Sequence, residues 1–215
     1  MEFLSTADGS TTLYVPDLDE TYHSRHGAVQ ESRHVFIEAG LRAVRASRPA
    51  ILEVGLGTGL NALLTASEAA LLGLTADYTA LEAFPLAADI WTQLTFPGAG
   101  EASTLALIHE APWEARVEIF PGFILHKVLS TIEDYQPPAE GLDLIYYDAF
   151  GPRVQPDMWT VPIFRKLFEA ARPGAIWVSY CSKGQVRRDL EEAGWAAERL
   201  PGPPGKREML RAKKP

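Results

Sequence analysis

Two short stretches carry residues whose types and spacing could do chemistry. In Ile51-Leu52-Glu53-Val54-Gly55-Leu56-Gly57-Thr58-Gly59-Leu60-Asn61 an apolar run meets three glycines at alternate positions. In Leu142-Asp143-Leu144-Ile145-Tyr146-Tyr147-Asp148 an apolar run ends on a carboxylate. Glycines in that pattern let the backbone take φ > 0 and approach a ligand closely, and the free N–H groups of a following helix point back at the turn. The spacing departs from the dinucleotide fingerprint, because the last glycine comes one residue early and Asn61 follows it. With Glu53 at the strand end, the turn suits a cationic or amino-bearing ligand better than a pyrophosphate. A second strand, Asp77 to Leu81, finishes at Glu82, where an acid in doubly wound folds hydrogen-bonds ribose hydroxyls. Asp148 stands at the carboxyl end of its own strand, the edge at which open α/β sheets hold ligands. Plainer readings exist for each: a tight strand-to-helix turn, a solvated Glu82 and a loop-capping Asp148.

The elements that must position these groups follow from pattern. Phe3 to Ser5 and Thr11 to Val15 flank Asp8-Gly9 as a short hairpin appended to the main fold. Residues 29–215 then read as the core and 1–28 as hairpin and loop, in one domain. Gln30 to Ala46 reads as one helix ended by Arg48-Pro49, Phe84 to Leu94 as another, Arg116 to Phe120 as the third strand, and Phe123 to Ile132 as a short amphipathic helix. Thr160 is placed to cap a helix with Pro162 in its first turn. Ala175 to Tyr180 is the fifth strand, Gln185 to Glu192 a helix, and Trp195 to Arg199 with Glu208 to Ala212 a terminal strand pair. The alternation predicts an α/β fold, a seven-stranded, largely parallel sheet with helices on both faces.

Composition narrows the function classes. The chain has 215 residues, 47% hydrophobic, enough to bury a full core. No apolar run approaches the ~20 residues needed to span a bilayer and no signal segment is evident, so a cytoplasmic protein is expected. The single cysteine, Cys181, excludes an internal disulfide and reads as a buried, inert thiol. His23, His26 and His34 lack the partners of a metal site, and no metal is expected. A net charge of −8 argues against a general nucleic-acid coat protein, so any RNA contact would use a local basic patch.

The glycine turn and its preceding acid resemble the first motif of class I S-adenosylmethionine-dependent methyltransferases, a Rossmann-like fold. Longer motifs carry a closer resemblance. Tyr147-Asp148-Ala149-Phe150-Gly151-Pro152, Pro156-Asp157-Met158-Trp159-Thr160, Val186-Arg187-Arg188 and Gly205-Lys206-Arg207-Glu208-Met209-Leu210 are similar to the tRNA 5-aminomethyl-2-thiouridine methyltransferases. These comprise the stand-alone MnmD type and the N-terminal half of bifunctional MnmC. The resemblance runs from Tyr22 and Glu31-Ser32-Arg33 through Glu82-Ala83-Phe84-Pro85-Leu86 to the C-terminus. Ala149 and Gly151 replace the glycine and alanine usual in the family's loop, which keeps the acid, the aromatic and the proline. Many methyltransferases place an acid after the third strand to hold the adenine amino group, whereas Pro121-Gly122-Phe123 follows here. A flavin-dependent oxidase domain is not expected, nor an FAD cofactor.

The resemblance implies methyl transfer from S-adenosylmethionine to the primary amine on C5 of a wobble uridine in tRNA. It implies Glu53, Gly55, Gly57, Gly59, Asn61, Glu82 and Asp148 at the cofactor, with Asp148 also accepting the proton of the amine. Phe150 and Trp159 would flank the extruded base, unless Trp159 is a core aromatic under a proline turn. Arg153, Lys183, Arg187, Arg188, Lys206 and Arg207 would meet phosphates. A separate enzyme would supply the aminomethyl precursor; the sequence specifies no oligomeric state. Two other classes fit the same turn: a methyltransferase for a small-molecule or protein amine, and a non-catalytic S-adenosylmethionine-binding module.

Overall fold

A computed structural model describes residues 1–215. The apolar runs form a single eight-stranded sheet around β4 (Ala50–Val54), the strand that feeds the glycine turn. On one side of β4 lie β5 (Ala76–Leu81), β7 (Phe123–Val128) and β6 (Arg116–Phe120); on the other lie β8 (Leu142–Tyr147), β9 (Ala171–Ser179), β11 (Glu208–Lys213) and β10 (Ala196–Pro201). The five central strands run parallel, β6 and β11 flank them antiparallel, and β10, paired antiparallel to β11, runs in the direction of the central strands. The strand order reverses beside β4, so the carboxyl ends of β4 and β8 open on a crevice between the two directions of winding, where such sheets hold ligands. Residues of β4 and β8 are buried on both faces, as a doubly covered parallel sheet requires.

The class expected from the sequence holds, with eight strands rather than seven. The difference lies at Phe123–Val128, which is a strand and not the start of an amphipathic helix. Phe123, Leu125 and Lys127 point inward at period two. Lys127 is buried there because its ammonium donates to the His109 carbonyl at 2.5 Å and stands 4.6 Å over the Trp113 ring. β6 is thus the antiparallel partner of β7 across Pro121-Gly122, and β7, not β6, pairs with β5. The residues that follow the strand paired to β5 are therefore Leu129-Ser130-Thr131, and none of these is acidic.

The helices cover both faces. These are α1 (Ala28–Ser32), α2 (Leu60–Leu72), α3 (Ala88–Trp91), α4 (Ala102–Glu110), α5 (Val161–Ala170) and α6 (Gly184–Glu192). Two helices depart from expectation. The helix expected over 30–46 is broken into α1, a π-helical segment Arg33–Glu38 and a 3-10 turn Leu41–Ala43. Gly40 packs so close that a Cβ there would stand 2.4 Å from the Phe36 carbonyl and 3.1 Å from the Tyr146 ring. The helix expected over 84–94 shrinks to α3. At α5, Thr160 takes the N-cap position, but its hydroxyl donates to the Asp157 carbonyl at 3.3 Å instead of capping. The N-terminal hairpin β1 (Glu2–Ser5) and β2 (Thr11–Val15) gains a third strand, β3 (Glu20–Thr21), which turns the following residues toward the crevice. Cys181 is buried, and burial pushes its thiol up. No helix is long and apolar enough to cross a membrane.

Candidate active site

The crevice at the end of β4 and β8 is a cleft of about 530 Å³, within the range of small-molecule sites. Gly55 and Gly57 form its floor in conformations only glycine adopts readily, with φ +93° and +51°. Side chains there would collide: a Cβ on Gly55 would stand 3.0 Å from the Asp148 carbonyl, and one on Gly57 3.1 Å from the Tyr22 ring. Gly59 also has positive φ but faces α4, against His109 and Leu105, so it shapes the turn and does not line the cleft.

Thr58, between these glycines, is held from two sides. Its hydroxyl is 2.7 Å from His23 Nε2, and its carbonyl accepts from His109 Nε2 at 3.0 Å. Burial pushes both imidazoles down to about 4, so both are neutral near pH 7. His109 is also stacked on Trp91, at 4.9 Å and 2°. The N-terminal segment and α4 thus clamp the glycine turn, a role that no pattern of residue types announces. Glu82 completes the clamp. One carboxylate oxygen accepts the Gly57 N–H and the other the Phe84 N–H, each at 2.8 Å, and the half-buried group still faces the cleft.

Opposite Glu82 lies a connected acid pair. The Asn61 amide, at the start of α2, donates to Glu53 Oε1 at 3.0 Å and to Asp148 Oδ2 at 2.7 Å. Glu53 is fully buried behind Asn61 and does not line the cleft, which corrects the expectation that it meets the cofactor directly. Burial first, then the neighbouring Asp148, pushes the Glu53 carboxyl well above the usual carboxylate range. Asp148 does line the cleft. Burial raises its carboxyl to about 8 against the opposing hydrogen bond from Asn61. A carboxyl poised near neutrality at a cleft wall is a candidate proton acceptor.

The remaining expected residues divide. Phe150 lines the cleft, edge-on to Tyr22 at 5.1 Å. Trp159 does not; its indole donates to the Phe150 carbonyl at 2.8 Å and its ring is buried edge-on against Tyr147, so it supports the wall from behind. Arg187 is paired with Glu191 on α6, outside the cleft, and Arg153 with Glu20. Arg207 is exposed at the terminal loop. Lys206, expected at phosphates, instead reaches into the cleft, in contact with Glu31 and over the Tyr180 ring. Sequence reasoning missed Glu31 and Tyr180 as site residues. Tyr180 follows directly on β9, a strand-end signal of the same kind as Asp148; Glu31 stands in the stretch Glu31-Ser32-Arg33 that carries the resemblance, without a pattern that assigns it a role. On the other rim, Ser130 to Glu133 follow β7 and complete the wall beside Phe84.

The family model of an S-adenosyl-L-methionine-dependent methyltransferase matches residues 104–215, just over half of the chain. The chain belongs to that family. The methyltransferase is 33% identical over 227 residues to the tRNA 5-methylaminomethyl-2-thiouridine biosynthesis bifunctional protein MnmC of Nitrosospira multiformis, a match covering 94% of this chain and 35% of that protein. It spans about a third of the length of the curated relatives it matches. Among solved structures it is similar to MnmC2 from Aquifex aeolicus, with a TM-score of 0.79 and 25% identity over 100% of this chain and 71% of that one. A spermidine synthase from Thermotoga maritima shares the fold alone, with a TM-score of 0.63 and 10% identity over 100% of this chain and 72% of that one. The Rossmann-like methyltransferase architecture is therefore the fold of this chain.

Proposed function

We propose that the enzyme is a cytoplasmic tRNA methyltransferase that transfers a methyl group to the primary amine of a 5-aminomethyl-(2-thio)uridine at the wobble position, giving the methylaminomethyl form. The observation that carries the reading is Asp148, raised to about 8, at a cleft wall beside the glycine turn. Bound S-adenosylmethionine supplies an electrophilic methyl on a sulfonium. Gly55 and Gly57 leave room for it at the floor, Glu82 offers free carboxylate lone pairs to a ribose diol, and Ser130 to Glu133 offer the edge that follows β7 to the base. An alkylammonium has no lone pair, so the carboxylate of Asp148 accepts one proton from it and aims the freed nitrogen at the methyl carbon. The N–C bond forms as the C–S bond breaks, and the positive charge passes from sulfur to nitrogen, leaving a neutral thioether and a secondary ammonium. Phe150 offers a ring face to the extruded uracil, in the way single-stranded RNA bases are held.

Methyl transfer from labelled S-adenosylmethionine to tRNA lacking this modification, followed by nucleoside mass analysis, tests the reading. No label in methylaminomethyluridine, with label in small amines instead, favours a small-molecule substrate. Two further outcomes are expected. Glu82→Ala weakens cofactor binding by about 1.5–3 kcal/mol in titration calorimetry, because ribose hydroxyls lose a charged acceptor; unchanged affinity would move the ribose contact elsewhere. Arg207→Ala lowers the salt dependence of tRNA binding by about one counterion without touching cofactor affinity. A wild-type salt slope in that variant would place the RNA surface away from the terminal loop.

A further inference from the structure

Six acids line the cleft, Glu20, Glu31, Glu82, Glu133, Asp148 and Asp157, and Lys206 is the one Lys or Arg among its lining residues. The position of that cation is specific. Glu31 is buried on α1. Its Oε2 accepts the Ser24 N–H at 3.1 Å, while its Oε1 touches the Lys206 ammonium and has no well-directed hydrogen bond of its own. The same ammonium stands 4.3 Å over the Tyr180 ring, and the Tyr180 hydroxyl donates at 2.9 Å to the carbonyl of Ala149, next in the chain to Asp148. A buried carboxylate beside an aromatic face is a receptor for a primary ammonium.

We infer that Glu31 and Tyr180 form the subsite for the primary ammonium of the substrate, and that Lys206 fills it with its own ammonium until the substrate displaces it. The inference rests on the proposed amine-methylating activity and adds the residues that select the amine. A buried carboxylate left without a cation is costly, so the free protein needs a resident partner, and a lysine on a flexible four-carbon stem supplies one that can leave by side-chain rotation alone. Lys206 lies on the loop 202–207, whose Gly205 at φ +86° packs where a Cβ would meet the His26 ring. The loop backbone is tied by the Gly202 N–H donating to the Arg207 carbonyl at 3.1 Å and the Lys206 N–H to the Pro203 carbonyl at 2.9 Å, so displacement of the ammonium needs only rotation about the lysine stem. A phosphate role for Lys206 would require drawing an anion into a cleft lined by six acids.

The two roles predict opposite signs. Anticodon stem-loops carrying either uridine or 5-aminomethyluridine at the wobble position are titrated into the protein with S-adenosylhomocysteine present, and the ratio of their dissociation constants is read. Lys206→Met is expected to raise the preference for the amine-bearing RNA about tenfold, because the competing ammonium is gone, and Glu31→Gln to abolish it. The double variant Glu31→Gln/Lys206→Met removes both charges together, folds without an unpaired buried carboxylate, and is expected to show no preference. The inference is overturned if Lys206→Met weakens both RNAs alike with a flatter salt dependence, or if Glu31→Gln or the double variant keeps the wild-type preference. Wild-type methyl transfer to the amine-bearing RNA is measured alongside, so that failure of the amine reading itself is seen separately.

Discussion

Asp148→Asn is expected to lower turnover about 10²–10⁴-fold. The amide keeps the size of the side chain but cannot take a proton from an ammonium, while the geometry that aims the nitrogen survives. The pH profile follows from the direction of the shift. Burial raises the Asp148 carboxyl to about 8 in the free protein, so below that pH the base is increasingly protonated and kcat/KM, which reports the free enzyme, falls. Binding a cation beside the carboxylate favours its charged form, so the corresponding limb in kcat lies at lower pH than that in kcat/KM. In Asp148→Asn this limb disappears, and the residual rate keeps climbing with pH as more of the amine is already neutral. Single-turnover methyl transfer from pH 6 to pH 9.5 decides it. A variant as fast as wild type at neutral pH would demote Asp148 to a structural carboxylate.

The parts of the fold that could be read from the sequence are those in which side-chain pattern and backbone state agree. β4, β8 and α2 were legible because apolar runs lead into glycines or a polar strand end, and the terminal pair β10 and β11 because a Pro-Gly turn separates two strand-like runs. β7 was not, since Lys127 occupies an inward position that only its tertiary partners, the His109 carbonyl and the Trp113 ring, make tolerable. The broken helix after Gly27 was hidden for the same kind of reason: the close approach of Gly40 to Phe36 and Tyr146 is invisible in a helical period. At the site, Gly55, Gly57, Asn61, Glu82, Asp148 and Phe150 were legible because strand ends and turns announce themselves. Glu53 and Trp159 were placed one layer too far forward, as residue type and spacing do not reveal which of two neighbours faces the cleft and which stands behind it. Lys206 shows the converse limit, an apparently exposed charge in a basic loop that the fold turns inward.

Asn61→Leu is expected to destabilise the protein by about 2–4 kcal/mol at pH 8.5 and by roughly half as much at pH 5.5. One amide is the hydrogen-bond donor shared by two carboxyls, Glu53 and Asp148, one of them fully buried. Both have carboxyls raised in the folded state, Asp148 to about 8 and Glu53 well above the usual range. The folded protein therefore binds more protons than the unfolded chain between the ordinary carboxylate range and about pH 8, and the stability these groups contribute is lost as pH rises through that window. The Asn61 amide lowers both carboxyls by donating to them, so its removal raises them further and deepens the penalty where they must ionise, at high pH. At pH 5.5 both are protonated in the fold and can donate hydrogen bonds themselves, which leaves mainly the loss of one amide. Urea unfolding of wild type and variant at the two pH values measures the difference. Adding Glu53→Gln to Asn61→Leu replaces the fully buried carboxyl by an amide that cannot ionise and is expected to recover much of the loss at pH 8.5. An Asn61→Leu penalty independent of pH would mean that the amide is a packing element and that the two acids are not held apart through it.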